Sequence, residues 1–178
     1  MTLTEAKELL IKNDITFEVL EFETEAEYWL HATSFPYTKN AKSCKVIAII
    51  IKSKNEKKNI ELQFNDVDGE YYFEELRFGD YCYEMFDYNE EMLSDDLINY
   101  ILEIMQGNLR VINLTDLTKK RWIADACFDL NDDDAFGEVG FQKAMKRIEK
   151  PKSFLSKLKR SKKQYEIYDW NTYQCIIK

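Results

Sequence analysis

The densest group of potential metal ligands in the chain is an acidic segment that begins at Asp129. It supplies oxygen-bearing side chains at Asp129, Asn131 and Asp133, the spacing with which an EF-hand calcium loop begins. The sixth position of such a loop is normally glycine, but here it is Asp134. The twelfth is normally a bidentate glutamate, but here it is Gly140. We therefore interpret the segment as a solvated acidic loop and expect no metal site.

Nucleophilic catalysis also lacks its usual components. His31 is the only histidine, so a Ser or Cys nucleophile would depend on this one base, and no acid can be assigned to orient it. The four cysteines are far apart in sequence and form no C-x-x-C pair, which predicts free thiols in a reducing compartment. Ser156 and Lys159 match an S-x-x-K motif only within a lysine-rich stretch. We expect no catalytic residue and no cofactor.

Charge is distributed unevenly along the chain. Residues 143–163 carry ten Lys or Arg residues and one acid, a net charge of +9 in a protein whose net charge is −8. The other residues therefore carry −17. Charge of this size directs association with partners more than it determines a fold. The pattern favours a binding protein over an enzyme.

The basic segment, residues 143–163, has two interpretations. Phe154, Leu155 and Leu158 lie among its charges, so it could form a short amphipathic helix that binds a membrane or nucleic acid. Alternatively, its charges offset the acidic body while its apolar residues pack on the core. We favour the second interpretation, because a body of charge −17 repels phosphate. We therefore expect neither a membrane nor a nucleic acid as partner.

Length and composition predict one domain over residues 1–178. The chain has 45% hydrophobic residues and few glycines and prolines, so it can bury roughly 70% of its unfolded surface in one core. Its longest apolar run, residues 46–51, is far shorter than the roughly 18 residues of a membrane span. The N-terminus interrupts its apolar residues with charges, unlike a secretory signal. We expect a cytoplasmic protein.

Hydrophobic periodicity predicts helices near both ends of the chain and strands between them. The helices are predicted over residues 3–13, 90–106 and 138–149. The strands are predicted over residues 15–19, 28–35, 44–51, 60–67, 71–78, 81–86, 109–114, 121–130 and 165–170, the last as an edge strand. Asp68 and Gly69 predict a tight hairpin turn. Without regular βαβ alternation, this order predicts an α+β fold with a mostly antiparallel sheet, a meander, and packed helices.

Three parts of the chain resemble a known group of proteins. They are residues 73–88 with the helix that follows, residues 121–130, and residues 165–173. These segments resemble small bacterial immunity proteins of polymorphic or contact-dependent growth inhibition toxin systems. The resemblance implies a non-enzymatic cytosolic inhibitor that binds a cognate toxin domain and blocks its active site or a nearby surface. Many such toxins are cationic nucleases, which an acidic body would attract.

We expect the toxin to contact acid-rich turns at the edge of the sheet, because loops there can enter a concave basic site. The candidate partner-binding residues are Asp66, Asp68, Glu70, Asp129, Asp132, Asp133 and Asp134, with Tyr71 or Trp122 as aromatic anchors. Core packing is the alternative for both aromatic residues. Two other functions remain open, an acidic DNA mimic and a small enzyme with an unrecognised carboxylate site. The sequence predicts neither the toxin's activity nor the oligomeric state.

Overall fold

The computed structural model describes residues 1–33, 41–83, 90–149 and 162–178. These residues form helices and two antiparallel sheets, which confirms the predicted α+β class. The helices are α1 (Leu3–Lys12), α2 (Glu25–Ala32), α3 (Glu90–Gln106) and α4 (Glu138–Glu149). The strands are β1 (Glu18–Phe22), β2 (Val46–Ile51), β3 (Ile60–Val67), β4 (Glu70–Phe78), β5 (Tyr81–Tyr83), β6 (Leu109–Asp116), β7 (Arg121–Asp129), β8 (Lys163–Tyr168) and β9 (Tyr173–Ile177).

Contacts within the chain divide it into two compact units, Met1–Leu102 and Glu103–Lys178. Each unit contains one of the two sheets. The single domain expected over residues 1–178 stays a prediction. No helix among the described residues combines the length and apolar character needed to cross a membrane.

The sheet of the first unit is the predicted meander. Its five strands lie in chain order from β1 to β5, and every neighbouring pair is antiparallel. The hairpin between β3 and β4 turns at Asp68 and Gly69, whose φ angles are 55° and 92°. Positive φ at both central residues is the geometry that a two-residue hairpin of this twist requires. The turn is therefore where the sequence predicted it.

Strand β2 is buried along its whole length and lies between β1 and β3. Val46, Ala48 and Ile50 form one of its two faces and pack against the fully buried Tyr28 of α2. This burial confirms the prediction of a central strand from its continuous aliphatic run. Strand β1 begins at Glu18, later than predicted, although Ile15 just before it is buried.

The strand predicted over residues 28–35 is wrong, because residues 28–32 belong to helix α2 and the chain leaves the helix at Thr33. Thr24 caps the helix, and its hydroxyl accepts a hydrogen bond from the N–H of Glu27 at 3.2 Å. The Glu27 carboxylate in turn accepts one from the N–H of Glu23 at 3.0 Å. Two acids in the first turn also favour the positive end of the helix dipole. These local interactions outweigh the strand preference of the aromatic residues that follow.

The sheet of the second unit has the order β7-β6-β8-β9, and all its pairs are antiparallel. Helix α4 packs on one face through Phe141 and Ile148, which contact Ile112, Phe128 and Ile167 in one buried cluster. The prediction of an edge strand at residues 165–170 is wrong in position, because β8 is interior. Strand β9, for which no strand was predicted, lies at the edge instead.

Some predicted features lie outside the described residues. They include the end of the strand predicted over residues 81–86 and the apolar residues at 154, 155 and 158 of the basic segment. Of that segment, the structure describes the end of α4 and the start of β8.

Candidate protein-binding surface

The first group of predicted partner-binding acids lies at the hairpin between β3 and β4. Asp68 and Glu70 are exposed, whereas Asp66 is half-buried. The Asp66 carboxylate accepts a hydrogen bond from the N–H of Gly69 at 2.9 Å, so it also stabilises the turn. Glu70 accepts a hydrogen bond from the Tyr72 hydroxyl at 2.6 Å. This hairpin presents negative charge, but two of its three carboxylates already have partners within it.

The second group lies in the loop that connects β7 to α4, and we call residues 129–137 the acidic loop. Asp132, Asp133 and Asp134 are all exposed. The carboxylate of Asp129 accepts a hydrogen bond from the N–H of Asn131 at 2.9 Å. That of Asp134 accepts one from the N–H of Phe136 at 2.7 Å. The acidic loop therefore carries its exposed carboxylates on a hydrogen-bonded backbone.

Two glycines allow the acidic loop to wind closely onto the start of α4. A Cβ atom at Gly137 would lie 1.9 Å from the carbonyl oxygen of Asp132, and one at Gly140 would lie 1.8 Å from that of Ala135. No side chain fits at such distances. Gly140 is the residue that removes the last ligand of a calcium loop, and its structural role is to permit this close approach.

Phe136 is the most exposed large apolar residue of the acidic loop, with 76% of its surface accessible. Val139, one residue into α4, is 41% exposed. Neither was among the predicted anchors, because the exposure of an apolar side chain in a loop depends on the path of the backbone. Aromatic residues are enriched at protein-binding surfaces, and carboxylates near them in the loop can add charge complementarity to a basic partner.

The two predicted aromatic anchors differ in position and exposure. Tyr71 is half-buried beside the acids of the β3–β4 hairpin. Trp122 is 51% exposed, so it is not a core residue. It lies at the start of β7, whereas Asp129 ends that strand, and seven residues of extended chain span about 24 Å. The structure therefore does not bring Trp122 to the acidic loop. The two acidic groups belong to different units of the chain.

A separate polar cluster is buried in the first unit. Glu61, Gln63 and Asn65 alternate along β3 on the face that carries Val46, Ala48 and Ile50 of β2, and α2 covers that face. The amide nitrogen of Gln63 donates to the side-chain oxygen of Asn65 at 2.8 Å. The polar residues of this alternating strand are thus buried rather than solvated.

Arg77 lies directly opposite Glu61 in the pairing of β3 with β4. Its guanidinium contacts the Glu75 carboxylate at 3.4 Å and lies 4.8 Å from the ring centre of Trp29. Glu61 is only 7% exposed. Burial raises the pKa of Glu61 from 4.5 to about 7, and the nearby charge of Arg77 opposes part of that increase. Both Glu61 and Arg77 are therefore buried, and they are not part of an exposed site.

Within the described ranges, no three His, Cys, Asp or Glu side chains lie close enough together to hold a metal ion. Comparisons of the chain with protein-family models, with curated proteins and with solved structures found no match. Any functional conclusion therefore depends on the surface itself. The strongest combination on that surface is the acidic loop with Phe136.

Proposed function

We propose that this protein is a non-enzymatic inhibitor of the immunity type, which binds a cognate toxin domain and blocks its active site or a nearby surface. The observation that carries the proposal is the acidic loop, which presents three exposed carboxylates, Asp132, Asp133 and Asp134, together with Phe136, an aromatic side chain that is 76% exposed. Carboxylates of this kind attract a cationic partner, and a desolvated aromatic residue supplies affinity once contact is made.

The structure of the acidic loop suits rapid and specific binding. Its backbone is fixed by hydrogen bonds and by the close approach at Gly137 and Gly140. A partner therefore does not have to order a flexible segment before it binds, and that ordering would otherwise reduce affinity. The overall charge of −8 adds a long-range attraction to a basic toxin, such as the cationic nucleases that the family resemblance implies.

The first experiment is co-purification with the C-terminal domain of the toxin-like protein encoded immediately upstream, together with a growth-rescue assay. We expect a tight complex whose association slows as salt increases, and restored growth when both proteins are expressed. Absence of both a complex and rescue would refute the proposal.

The surface is tested with charge-matched variants. Replacing Asp132, Asp133 and Asp134 together by Asn should weaken binding by about tenfold or more and flatten its salt dependence. Phe136→Ala should weaken binding by a similar factor and leave the salt dependence unchanged, because the residue is uncharged. The control replaces three acids that are exposed elsewhere, Glu8, Glu21 and Glu56, by Gln.

The control removes the same total charge, so it separates a local contact from the general effect of an acidic body. If the control triple variant weakens binding as much as the loop triple variant, the acidic loop is not the binding surface. If both triple variants bind like the wild type while the complex forms, the placement is again wrong and another surface binds the toxin.

A further inference from the structure

A cleft of about 420 Å³ lies in the second unit, between α4 and the strands β8 and β9. Its volume falls within the range of small-molecule binding sites. The polar side of the cleft is formed by Arg110, Gln142, Lys146, Glu149, Thr172 and Gln174. None of these residues belongs to the acidic loop, so the cleft is separate from the surface of the proposed function.

Arg110 is held in one orientation at the wall of this cleft. Its Nη2 donates to the carboxylate of Asp169 at 2.6 Å, and its guanidinium lies 4.9 Å from the ring centre of Phe141. The side chain of Asp169 is almost fully buried and also accepts hydrogen bonds from the N–H groups of Asn171 and Thr172 and from the Thr172 hydroxyl. A guanidinium fixed from two sides loses little freedom when it binds a ligand.

The Arg110 guanidinium retains capacity to donate. The side chain of Arg110 is 29% exposed, and Nη2 is the nitrogen that pairs with Asp169. A guanidinium has five N–H donors, so those that stay accessible can donate to an acceptor group in the cleft.

The other charges of the cleft define how much negative charge it can accept. Lys146 contributes a second cation, and Gln142 lies one helical turn before it on the same side of α4. Glu149 contributes one negative charge. Asp169, which pairs with Arg110, contributes another, so these four side chains together carry no net charge. A monoanion therefore meets less repulsion in the cleft than a doubly charged phosphate, while Lys146 and the accessible part of Arg110 supply the attraction.

The remaining wall of the cleft is apolar. Phe141, Met145 and Ile167 line it, and they belong to the core cluster between α4 and the sheet. Contact with this wall removes apolar surface of a ligand from water. We propose that the cleft binds a small molecule that carries one carboxylate on an apolar body. The planar guanidinium of Arg110 and the amide of Gln174 or Gln142 contact the carboxylate, and the apolar wall contacts the remainder.

The proposal is tested by NMR titration of the full chain with three probes. They are 3-phenylpropionate, its neutral analogue 3-phenylpropanol, and inorganic phosphate. We expect phenylpropionate to bind with a dissociation constant on the order of 1 mM and to shift the backbone amides of Thr172 and Gln174. The alcohol and phosphate should bind at least about tenfold more weakly, since each lacks one of the two features that the cleft recognises.

Two lysines on the same helix provide a matched pair of variants. Lys146→Gln should weaken phenylpropionate binding by about fivefold, because it removes one charged contact in a partly open cleft. Lys143→Gln removes the same charge from an exposed position on α4 that does not line the cleft, and should change binding less than about twofold. Equal effects of the two variants, equal binding of the alcohol, or tighter binding of phosphate would each overturn the proposal. None of these outcomes depends on a toxin.

Discussion

Glu61 makes the stability of this protein depend on pH in a direction opposite to that of most acidic residues. Its carboxyl group is buried on β3 beneath α2, and burial raises its pKa from 4.5 to about 7. The folded protein therefore holds the Glu61 proton more tightly than the unfolded chain does. The contribution of this group to stability is complete below about pH 4.5 and is lost as pH rises through 7.

The size of the effect follows from the two pKa values. Each pH unit between them corresponds to about 1.4 kcal/mol, so raising pH from 4.5 to above 7 should remove about 3 kcal/mol from the free energy of unfolding. Glu61→Gln keeps the size of the protonated side chain and, like it, has both a donor and an acceptor, but it cannot ionise. Relative to the wild type, this variant should gain about 3 kcal/mol between pH 4.5 and 8.

The assay is urea denaturation of both proteins at several pH values, followed by the intrinsic fluorescence of the three tryptophans, of which Trp29 lies close to Arg77. Urea is preferred to guanidinium chloride because it does not screen charge. Glu8→Gln, which changes an exposed carboxylate on α1, is the control, and its stability should follow that of the wild type at every pH. If the curves of wild type and Glu61→Gln remain parallel across this range, Glu61 does not titrate as a buried acid and the reasoning fails.

Two further predictions concern a buried charge and a close backbone contact. Arg77→Met leaves Glu61 and Glu75 without their buried cation, so it should reduce the free energy of unfolding by about 3 kcal/mol or more at pH 8. In the double variant, Glu61→Gln should recover part of this loss. A loss below about 1 kcal/mol would show that the cation is dispensable. Gly140→Ala should reduce the free energy of unfolding by at least about 2 kcal/mol, because its Cβ would lie 1.8 Å from a backbone oxygen. Gly69→Ala should reduce it by about 1 kcal/mol, because the new Cβ meets no other atom and adds only strain at positive φ. Thermal denaturation that ranks the two glycine variants in the opposite order would contradict this account of the acidic loop.

Several parts of the fold could be predicted from sequence because local interactions determine them. Thr2 caps α1 with a reciprocal bond to Glu5, and Asp68 with Gly69 sets the hairpin geometry. Helix α2 carries a similar signal, a threonine followed three residues later by a glutamate. The same segment is rich in aromatic residues, which favour a strand. Two local preferences therefore compete there, and the structure follows the helix cap.

The buried polar cluster could not be predicted in the same way. The alternation of Ile60, Glu61, Leu62 and Gln63 is typical of a strand with one face in solvent. Whether that face is solvated depends on α2, which is far from β3 in sequence and whose own structure was mispredicted. Phe136 was missed for a different reason. Its exposure depends on the path of the acidic loop, which the close approach at Gly140 determines.

The complete burial of β2 has a consequence for aggregation. The six residues of Val46–Ile51 are uncharged and aliphatic and include neither proline nor glycine, a composition that forms cross-β fibrils when it is exposed. Pairing with β1 and β3 occupies both edges of the strand in the native sheet. Lys45 and Lys52 flank it, and a charge at each end opposes the stacking of identical copies. Partial opening of the first sheet would therefore expose residues 46–51 for self-association. The repulsion between the flanking lysines of different copies would then be the nearest charge effect that opposes it.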